Sequence, residues 1–177
     1  VFAIALENNL KKIILVEDSL IGFSEAFKRS KELDINLIFG LRLSMRNSSS
    51  DNDQLSDHKI IIFAKNSDGC KLLNKIYSKA FCDFSGFLDY KSLAKLWNSD
   101  YLKMAIPFYD SFIHVNNFGF GTAIPDMHGF KPTFFIEQNG LAFDHLLKSL
   151  TLDQAQKTYQ APIEKVKSIY YKNKTDA

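Results

Sequence analysis

The stretch "KKIILVEDSLIGF", residues 11–23, decides the fold class, because it changes from a strand pattern to a helix pattern within a few residues. The apolar run at residues 13–16 predicts a strand covered on both faces. The run stops at two carboxylates, Glu17 and Asp18, and Ser19 is placed to cap a following helix. Acids at the carboxyl end of a buried strand are where α/β enzymes often hold metals or transfer protons. The stretch therefore predicts an α/β fold and raises the hypothesis of an active-site corner.

The rest of the chain repeats this alternation of strand and helix patterns. Strands are predicted at residues 35–43, 58–65, 102–109, 132–138 and 166–171, and helices at 68–81, 89–97 (capped by Asp89) and 143–159. Residues 45–57 are polar and predict a mobile surface loop. Residues 1–12 resemble the end of a helix leading into a strand, so we expect the chain to start inside a structural unit. The pattern predicts a parallel sheet or barrel with helices outside, in a single domain over residues 1–177.

The composition is that of a globular protein. The chain of 177 residues is 46% hydrophobic, and its net charge of +2 gives no argument for a dedicated nucleic-acid binder. Two cysteines, Cys70 and Cys82, have no zinc-motif spacing and indicate a reducing compartment. No apolar run approaches the roughly 20 residues of a membrane span. We therefore expect a cytoplasmic protein with no membrane contact.

Four segments, in this order, resemble one family. "IILVEDSLIGFSEAFKRSKELDINLIFGLRL" is similar to a strand, "TDHGNLFGA" turn, helix and "IKPIIGCE" strand, and "HKIIIFAKNSDGCKLLNKIYSKAF" is similar to "HLVLLAKNEEGYRNL". "PTFFIEQNGLAFDHLL" resembles a "FYLEIQ" strand with its helix, and "VKSIYYKNKTDA" resembles "ATNDVHYLNKEDA". The family is the PHP (polymerase and histidinol phosphatase) domain at the N-terminus of the bacterial DNA polymerase III alpha subunit.

The resemblance implies an irregular seven-stranded (βα) barrel, TIM-barrel-like, here lacking its first strand. Active members of the family hold two or three metal ions on His, Asp, Glu and Cys side chains at the strand ends, and they hydrolyse phosphoesters. Adjacent divalent ions activate a water and stabilise the charge of an in-line displacement. The resemblance thus implies Zn, Mn or Mg as cofactors if the domain is active, and none if its ligands are lost.

Carried over residue by residue, the resemblance places few ligands in this chain. Glu17 aligns with a ligand His, whereas a slip of one residue would give Asp18 a ligand role, so this corner stays ambiguous. Arg42 takes the place of a ligand Glu, and a guanidinium cannot coordinate a metal. His58 matches a family histidine and is the one ligand type retained.

The remaining ligand positions are also replaced. Phe108 or Tyr109 stands where some members use Cys, Tyr170 replaces a His, and Lys167 and Ser168 replace Asn-Asp. We therefore expect no catalytic, cofactor or metal site, and we keep only three vestigial metal candidates, namely His58, Asp18 and Glu17.

Each candidate also has a structural interpretation. Arg42 is expected to pair with Glu17 or Asp18 across the strand ends, and His58 is expected to be hydrogen-bonded at a strand start. Three other histidines have no ligand-like spacing and are interpreted as surface or structural residues: His114, His128 and His145. The Gly-x-Gly at residues 119–125 follows no predicted strand and lacks a third glycine, which argues against a nucleotide loop.

The function expected from the resemblance is a non-catalytic PHP domain of a replicative polymerase alpha subunit. Its expected partners are the remainder of the alpha chain and a proofreading exonuclease subunit, with indirect or weak DNA contact. One alternative is an active metal-dependent phosphoesterase or proofreading exonuclease of the same fold. Another is a free-standing binding module that reuses the fold.

Overall fold

The structure is a computed structural model that describes residues 1–48, 54–127 and 129–169. Within these ranges the chain alternates strands and helices, as the sequence predicts. Its seven described strands are β1 (Lys12–Glu17), β2 (Asn36–Arg46), β3 (His58–Ala64), β4 (Phe87–Asp89), β5 (Leu102–Ile106), β6 (Thr133–Ile136) and β7 (Ile163–Lys165). The described α-helices are α1 (Phe2–Glu7), α2 (Phe23–Glu32), α3 (Ser67–Asp83), α4 (Tyr90–Ala94), α5 (Phe112–Phe118) and α6 (Asp144–Asp153).

The strands form one mixed sheet in the order β1-β2-β3-β5-β6-β7, with β4 paired to β2. Strand β3 runs antiparallel to both of its neighbours, and every other described pair is parallel. The expectation of an all-parallel sheet is therefore wrong. The physical reason is the connection between β2 and β3, because its described part contains one 3-10 turn (Gln54–Ser56) and no crossover helix.

The six-strand path curls into a half-barrel, which makes the fold a mixed α/β architecture. Its main core lies between the sheet and the helices α3 to α6, where side chains such as Leu41, Ile62, Met104 and Phe134 are fully buried. A smaller cluster formed by Ala5 and its neighbours lies under α1. None of the described helices is long and apolar enough to cross a membrane.

Several predicted elements need correction at their ends. The helix expected from Ser19 begins at Phe23 with Gly22 as its N-cap, because the Ser19 hydroxyl accepts a bond from Ile21 within a turn. The loop expected at residues 45–57 starts later, since β2 continues through Arg46. The strand expected at residues 166–171 is wrong over 166–169, because the strand that pairs with β6 is the earlier Ile163–Lys165.

The strand β1 is less buried than its apolar run predicts. It is the edge strand of the described sheet, and the side chain of Ile14 is 60% exposed while that of Ile13 is buried. An edge strand with one open face explains why the expectation of cover on both faces is wrong. The predicted cap is confirmed at α4, where the Asp89 carboxylate accepts a bond of 2.6 Å from the Ser92 amide.

Candidate functional site

The strand directions bring most of the polar side chains discussed here to one edge of the sheet. Strands β1, β2, β4, β5, β6 and β7 all point the same way, whereas β3 points the opposite way. Their carboxyl ends therefore meet at one edge, together with the amino end of β3. We call this edge the carboxyl edge. It is where open α/β sheets commonly bind ligands.

The first corner of this edge consists of Glu17, Asp18 and Arg42. The Arg42 guanidinium donates two hydrogen bonds to Asp18, from Nε to Oδ1 at 2.7 Å and from Nη2 to Oδ2 at 2.8 Å. This bidentate geometry is the strongest form of an arginine–carboxylate pair. The predicted pairing of Arg42 with one of the two acids is thereby confirmed for Asp18.

The electrostatics of the first corner favour an ionised carboxylate. The hydrogen bond from Arg42 lowers the pKa of Asp18 below its ordinary value. Partial burial raises this pKa, but the positive charges of Arg42 and Lys59 lower it further. The Asp18 side chain is 55% exposed and that of Arg42 is 30% exposed. Glu17, at the end of β1, is exposed as well. The Arg42 guanidinium therefore already binds the Asp18 carboxylate that a metal ion would need as a ligand.

His58 lies at the amino end of β3 and is 3% exposed. Its Nδ1 lies 2.6 Å from the Ser56 carbonyl oxygen and its Nε2 lies 2.8 Å from the Tyr90 hydroxyl. Since a carbonyl only accepts, Nδ1 carries the proton and Nε2 accepts from Tyr90. Both ring nitrogens are therefore occupied, and the interpretation of His58 as a residue bonded at a strand start is confirmed.

Burial keeps this pair of side chains uncharged. Desolvation lowers the pKa of His58 to about 4, against smaller opposing effects of the Ser56 carbonyl and the Asp57 charge. Burial also raises the pKa of the Tyr90 hydroxyl well above its usual value. The two rings stack with their centroids 5.8 Å apart. The arrangement is a packed hydrogen-bonded pair in the core.

A second cluster of acids lies where β5, β6 and β7 end. We call Tyr109, Glu137, Asn139, Asp144 and Ser168 the buried network, after its two buried acids; Asn139 and Ser168 are themselves exposed. Tyr109 follows β5, Glu137 comes directly after β6, Ser168 follows β7, and Asp144 opens α6. The carboxylates of Glu137 and Asp144 belong to residues that are each 7% exposed. The sequence of residues 11–23 suggested buried acids at a strand end for Glu17 and Asp18, but the structure has them here instead.

Within the buried network, Asp144 is wrapped by donors. Its Oδ1 accepts a bond of 2.7 Å from the Tyr109 hydroxyl, and its Oδ2 accepts from the amides of Asn139 at 2.9 Å and Leu141 at 3.1 Å. Gly140 allows this tight wrap because its φ of +79° suits glycine. The position at the first turn of α6 also favours a negative charge.

Glu137 is bound by neutral donors from its own loop and from the segment after β7. Ser168 donates to it through its hydroxyl at 2.8 Å and through its backbone amide at 3.2 Å, and the Asn139 side-chain amide donates at 3.1 Å. Asn139 therefore connects the two acids, because its backbone amide donates to Asp144 and its side-chain amide donates to Glu137. The network ties the ends of three strands and one helix together.

Within the buried network, the pKa values of Tyr109 and Asp144 are shifted in opposite directions. Burial raises the pKa of Asp144, but the hydrogen bonds from Tyr109 and the loop amides outweigh it and leave that pKa below its ordinary value. Burial and the bond to Asp144 raise the pKa of Tyr109 to about 12. At neutral pH the proton therefore stays on Tyr109. The pair is a fixed hydrogen bond with poor matching for proton transfer.

The other residues singled out from the sequence lie in structural surroundings. Phe108 is fully buried in the core. His114 lies among Tyr109, Phe118 and Phe143 with ring centroids 5.6–6.1 Å away. His145 is exposed on α6. His128 and Tyr170 lie outside the described residues.

Sequence reasoning missed the buried network as a site. One signal was available, because Glu137 follows an apolar run at the end of a predicted strand just as Glu17 does. Across residues 1–48, 54–127 and 129–169, the structure has no group of three or more His, Cys, Asp or Glu side chains placed to hold a metal ion.

Comparison of the chain with protein-family models gives no match. Comparison with curated proteins gives no significant match either.

Proposed function

We propose that this chain is a non-catalytic PHP domain of a replicative DNA polymerase III alpha subunit. The proposal rests on the four segments that resemble that family in the right order, and on a half-barrel that is compatible with part of the seven-stranded PHP barrel. Its role is to support the polymerase core during DNA replication in the cytoplasm and to offer a docking surface to a proofreading exonuclease subunit. Nucleotidyl transfer belongs to other parts of the alpha chain.

One observation carries the non-catalytic part of the proposal, namely the bidentate pair between Arg42 and Asp18. The resemblance assigns a metal ligand to the position of Arg42, and a guanidinium there adds a fixed positive charge where a metal cluster would need negative ligands. The pair also satisfies Asp18, so the corner needs no metal to neutralise it.

The surroundings of His58 support the same proposal. A histidine that ligates a metal must present an unprotonated nitrogen to it, and the available nitrogen of His58 accepts from Tyr90 instead. Breaking that contact would leave the Tyr90 hydroxyl without its partner inside the core. Retention of this histidine is therefore explained by packing.

The test is a metal analysis of the purified chain combined with a phosphodiester hydrolysis assay in manganese. We expect metal well below one ion per chain and no hydrolysis of bis(p-nitrophenyl) phosphate above the buffer rate. His58→Ala and the exposed control His145→Ala should behave like the original protein in both measurements.

Stoichiometric bound metal, together with hydrolysis that is lost in His58→Ala and kept in His145→Ala, would overturn the proposal. That result would favour the active phosphoesterase or proofreading exonuclease instead. Unfolding curves of both variants show whether a lost activity is only a lost fold.

A further inference from the structure

Positive charge is concentrated in one part of the chain, although the total is nearly balanced. Residues 58–103 contain eight lysines and four aspartates, while the rest of the chain has fourteen basic and sixteen acidic residues. One of the four, Asp89, is buried as the cap of α4 and does not face solvent. The elements β3, α3, α4 and β5 therefore form a basic unit within a balanced protein.

Four of the eight lysines of this unit line a shallow groove beside α3. Two adjoining hollows of about 480 and 460 Å³ share Lys75 and Leu96. Lys71, Lys75 and Lys79 recur every four residues and therefore lie in one row along the helix. Lys95, just after α4, faces the same hollow as Lys71 and Lys75. We call this feature the lysine groove.

Two aromatic side chains line the same groove, Trp97 and Tyr101. The Trp97 indole is held in place, because its Nε1 donates to the Ser99 hydroxyl at 3.0 Å and its ring packs edge-on against Phe130 with centroids 5.1 Å apart. Trp97 and Tyr101 are both partly exposed. Partly exposed aromatic rings beside a row of lysines, one of them held in place, are typical of surfaces that bind single-stranded nucleic acids.

The two aspartates that also line the groove, Asp68 and Asp83, do not neutralise it. Lys71 pairs with Asp68 and Lys79 with Asp83, each at 2.9 Å and within the same helix. Exposed pairs of this kind are weak, so a phosphate can compete with them. Lys75 and Lys95 take part in no ion pair with any residue that the structure describes.

We propose that the lysine groove binds a single-stranded nucleic acid, with the lysine row on the phosphates and the two aromatic rings on the bases. A duplex hides its base faces, whereas a single strand offers phosphates and bases to the same groove. The inference goes beyond the proposed function and stands on the groove alone, since the metal and hydrolysis assays do not bear on it.

The test is fluorescence anisotropy of labelled oligo(dT) with the purified chain, repeated from about 50 to about 200 mM salt. If three or four phosphates are contacted, log K should fall with log salt at a slope of roughly −2 to −3. The same titration with labelled oligo(U) shows whether the groove binds RNA more tightly than DNA. Duplex DNA and inorganic polyphosphate should both bind more weakly than oligo(dT).

Variants separate the phosphate contacts from the stacking. The double variant Lys75→Glu with Lys95→Glu should weaken oligo(dT) binding by at least about tenfold and flatten the salt slope. Tyr101→Leu should weaken oligo(dT) binding by about 5- to 150-fold and leave polyphosphate binding almost unchanged. Lys28→Glu, an exposed lysine on α2, is the matched control and should bind like the original protein.

Three results would overturn the inference. The first is no anisotropy change at the lowest salt, and the second is binding that the double variant leaves unchanged. The third is competition by poly-glutamate as strong as that by unlabelled oligo(dT), which would assign the groove to an acidic protein. Thermal unfolding of each variant identifies any loss of fold.

Discussion

The first corner and the buried network are two solutions to one problem, since both place acids at the carboxyl ends of parallel strands. In the first corner, Asp18 is half exposed and is neutralised by a guanidinium. In the buried network, Asp144 and Glu137 are almost fully covered and receive neutral hydroxyl and amide donors. Neither acid of the buried network takes part in an ion pair within the described residues.

The two regions are expected to contribute differently to the stability of the fold. An exposed ion pair contributes little free energy, because water already solvates both charges. A buried carboxylate without its donors is costly, because its desolvation is no longer compensated. We therefore expect large effects on stability from buried polar groups of the carboxyl edge and small effects from the first corner.

The largest expected effect concerns pH and His58, the buried base of this edge. Its pKa is lowered to about 4 from 6.5, so the fold favours the neutral ring. The stabilisation of the fold by the neutral His58 ring is fully present above pH 6.5 and is lost as the pH falls towards 4. The free energy of unfolding should drop by roughly 3 kcal/mol over this window, measured by urea unfolding at a series of pH values.

The slope of the free energy of unfolding against pH, between pH 6.5 and 4, identifies the group responsible. His58→Gln should flatten it, while the exposed control His145→Gln should keep it. The pKa values of Asp18 and Asp144 are lowered, so their contributions are lost only as the pH falls below the ordinary carboxylate range. Equal slopes for His58→Gln and the original protein would contradict the assignment.

Next in size is the loss of an acid from the buried network. Asp144→Ala should lower the free energy of unfolding by about 2–3 kcal/mol, because the Tyr109 hydroxyl and two loop amides lose their acceptor. Asp153→Ala in the last turn of the same helix removes an exposed ion pair with Lys157 and should cost less than about 1 kcal/mol. Equal losses would remove the distinction between buried and exposed acids.

A single donor of the network should have a smaller effect. Tyr109→Phe should cost about 1 kcal/mol, since Asp144 keeps its backbone donors. It should also raise the pKa of Asp144, because the hydroxyl bond lowers that pKa. Carboxyl titration by NMR measures the pKa, and Tyr77→Phe on α3 is the control. A pKa of Asp144 that does not move would show that the hydroxyl bond is absent in solution.

The smallest effect is expected at the first corner. A double-mutant cycle of Asp18→Asn and Arg42→Gln should give a coupling energy of no more than about 1 kcal/mol. The coupling should shrink towards zero near 1 M salt, since exposed charges are screened. A coupling well above this value that persists in salt would show the corner to be as important as the buried network.

The sequence predicted the first corner better than the buried network for a topological reason. Asp18 directly follows β1 and Arg42 lies in β2, and these consecutive parallel strands are joined by one helix. A local pattern of strand, helix and strand is therefore enough to bring the two residues together. Tyr109, Glu137 and Ser168 come from three strands far apart in the chain. Their meeting depends on the order of β5, β6 and β7, which no local pattern encodes.

The fold was predictable to a similar degree. Long apolar or amphipathic segments such as β3 and α3 lie close to their predicted bounds. The three-residue strand β4 and the short helix α5 were missed, because elements of this length have too few residues for a period to show. The reversed direction of β3 was missed as well, since a strand pattern has no direction.

Sequencing the coding region beyond Ala177 tests whether the chain is part of a polymerase alpha subunit. We expect the reading frame to continue into polymerase sequence that contains the carboxylates for nucleotidyl transfer. A stop codon directly after Ala177 would contradict the claim and favour a free-standing binding module.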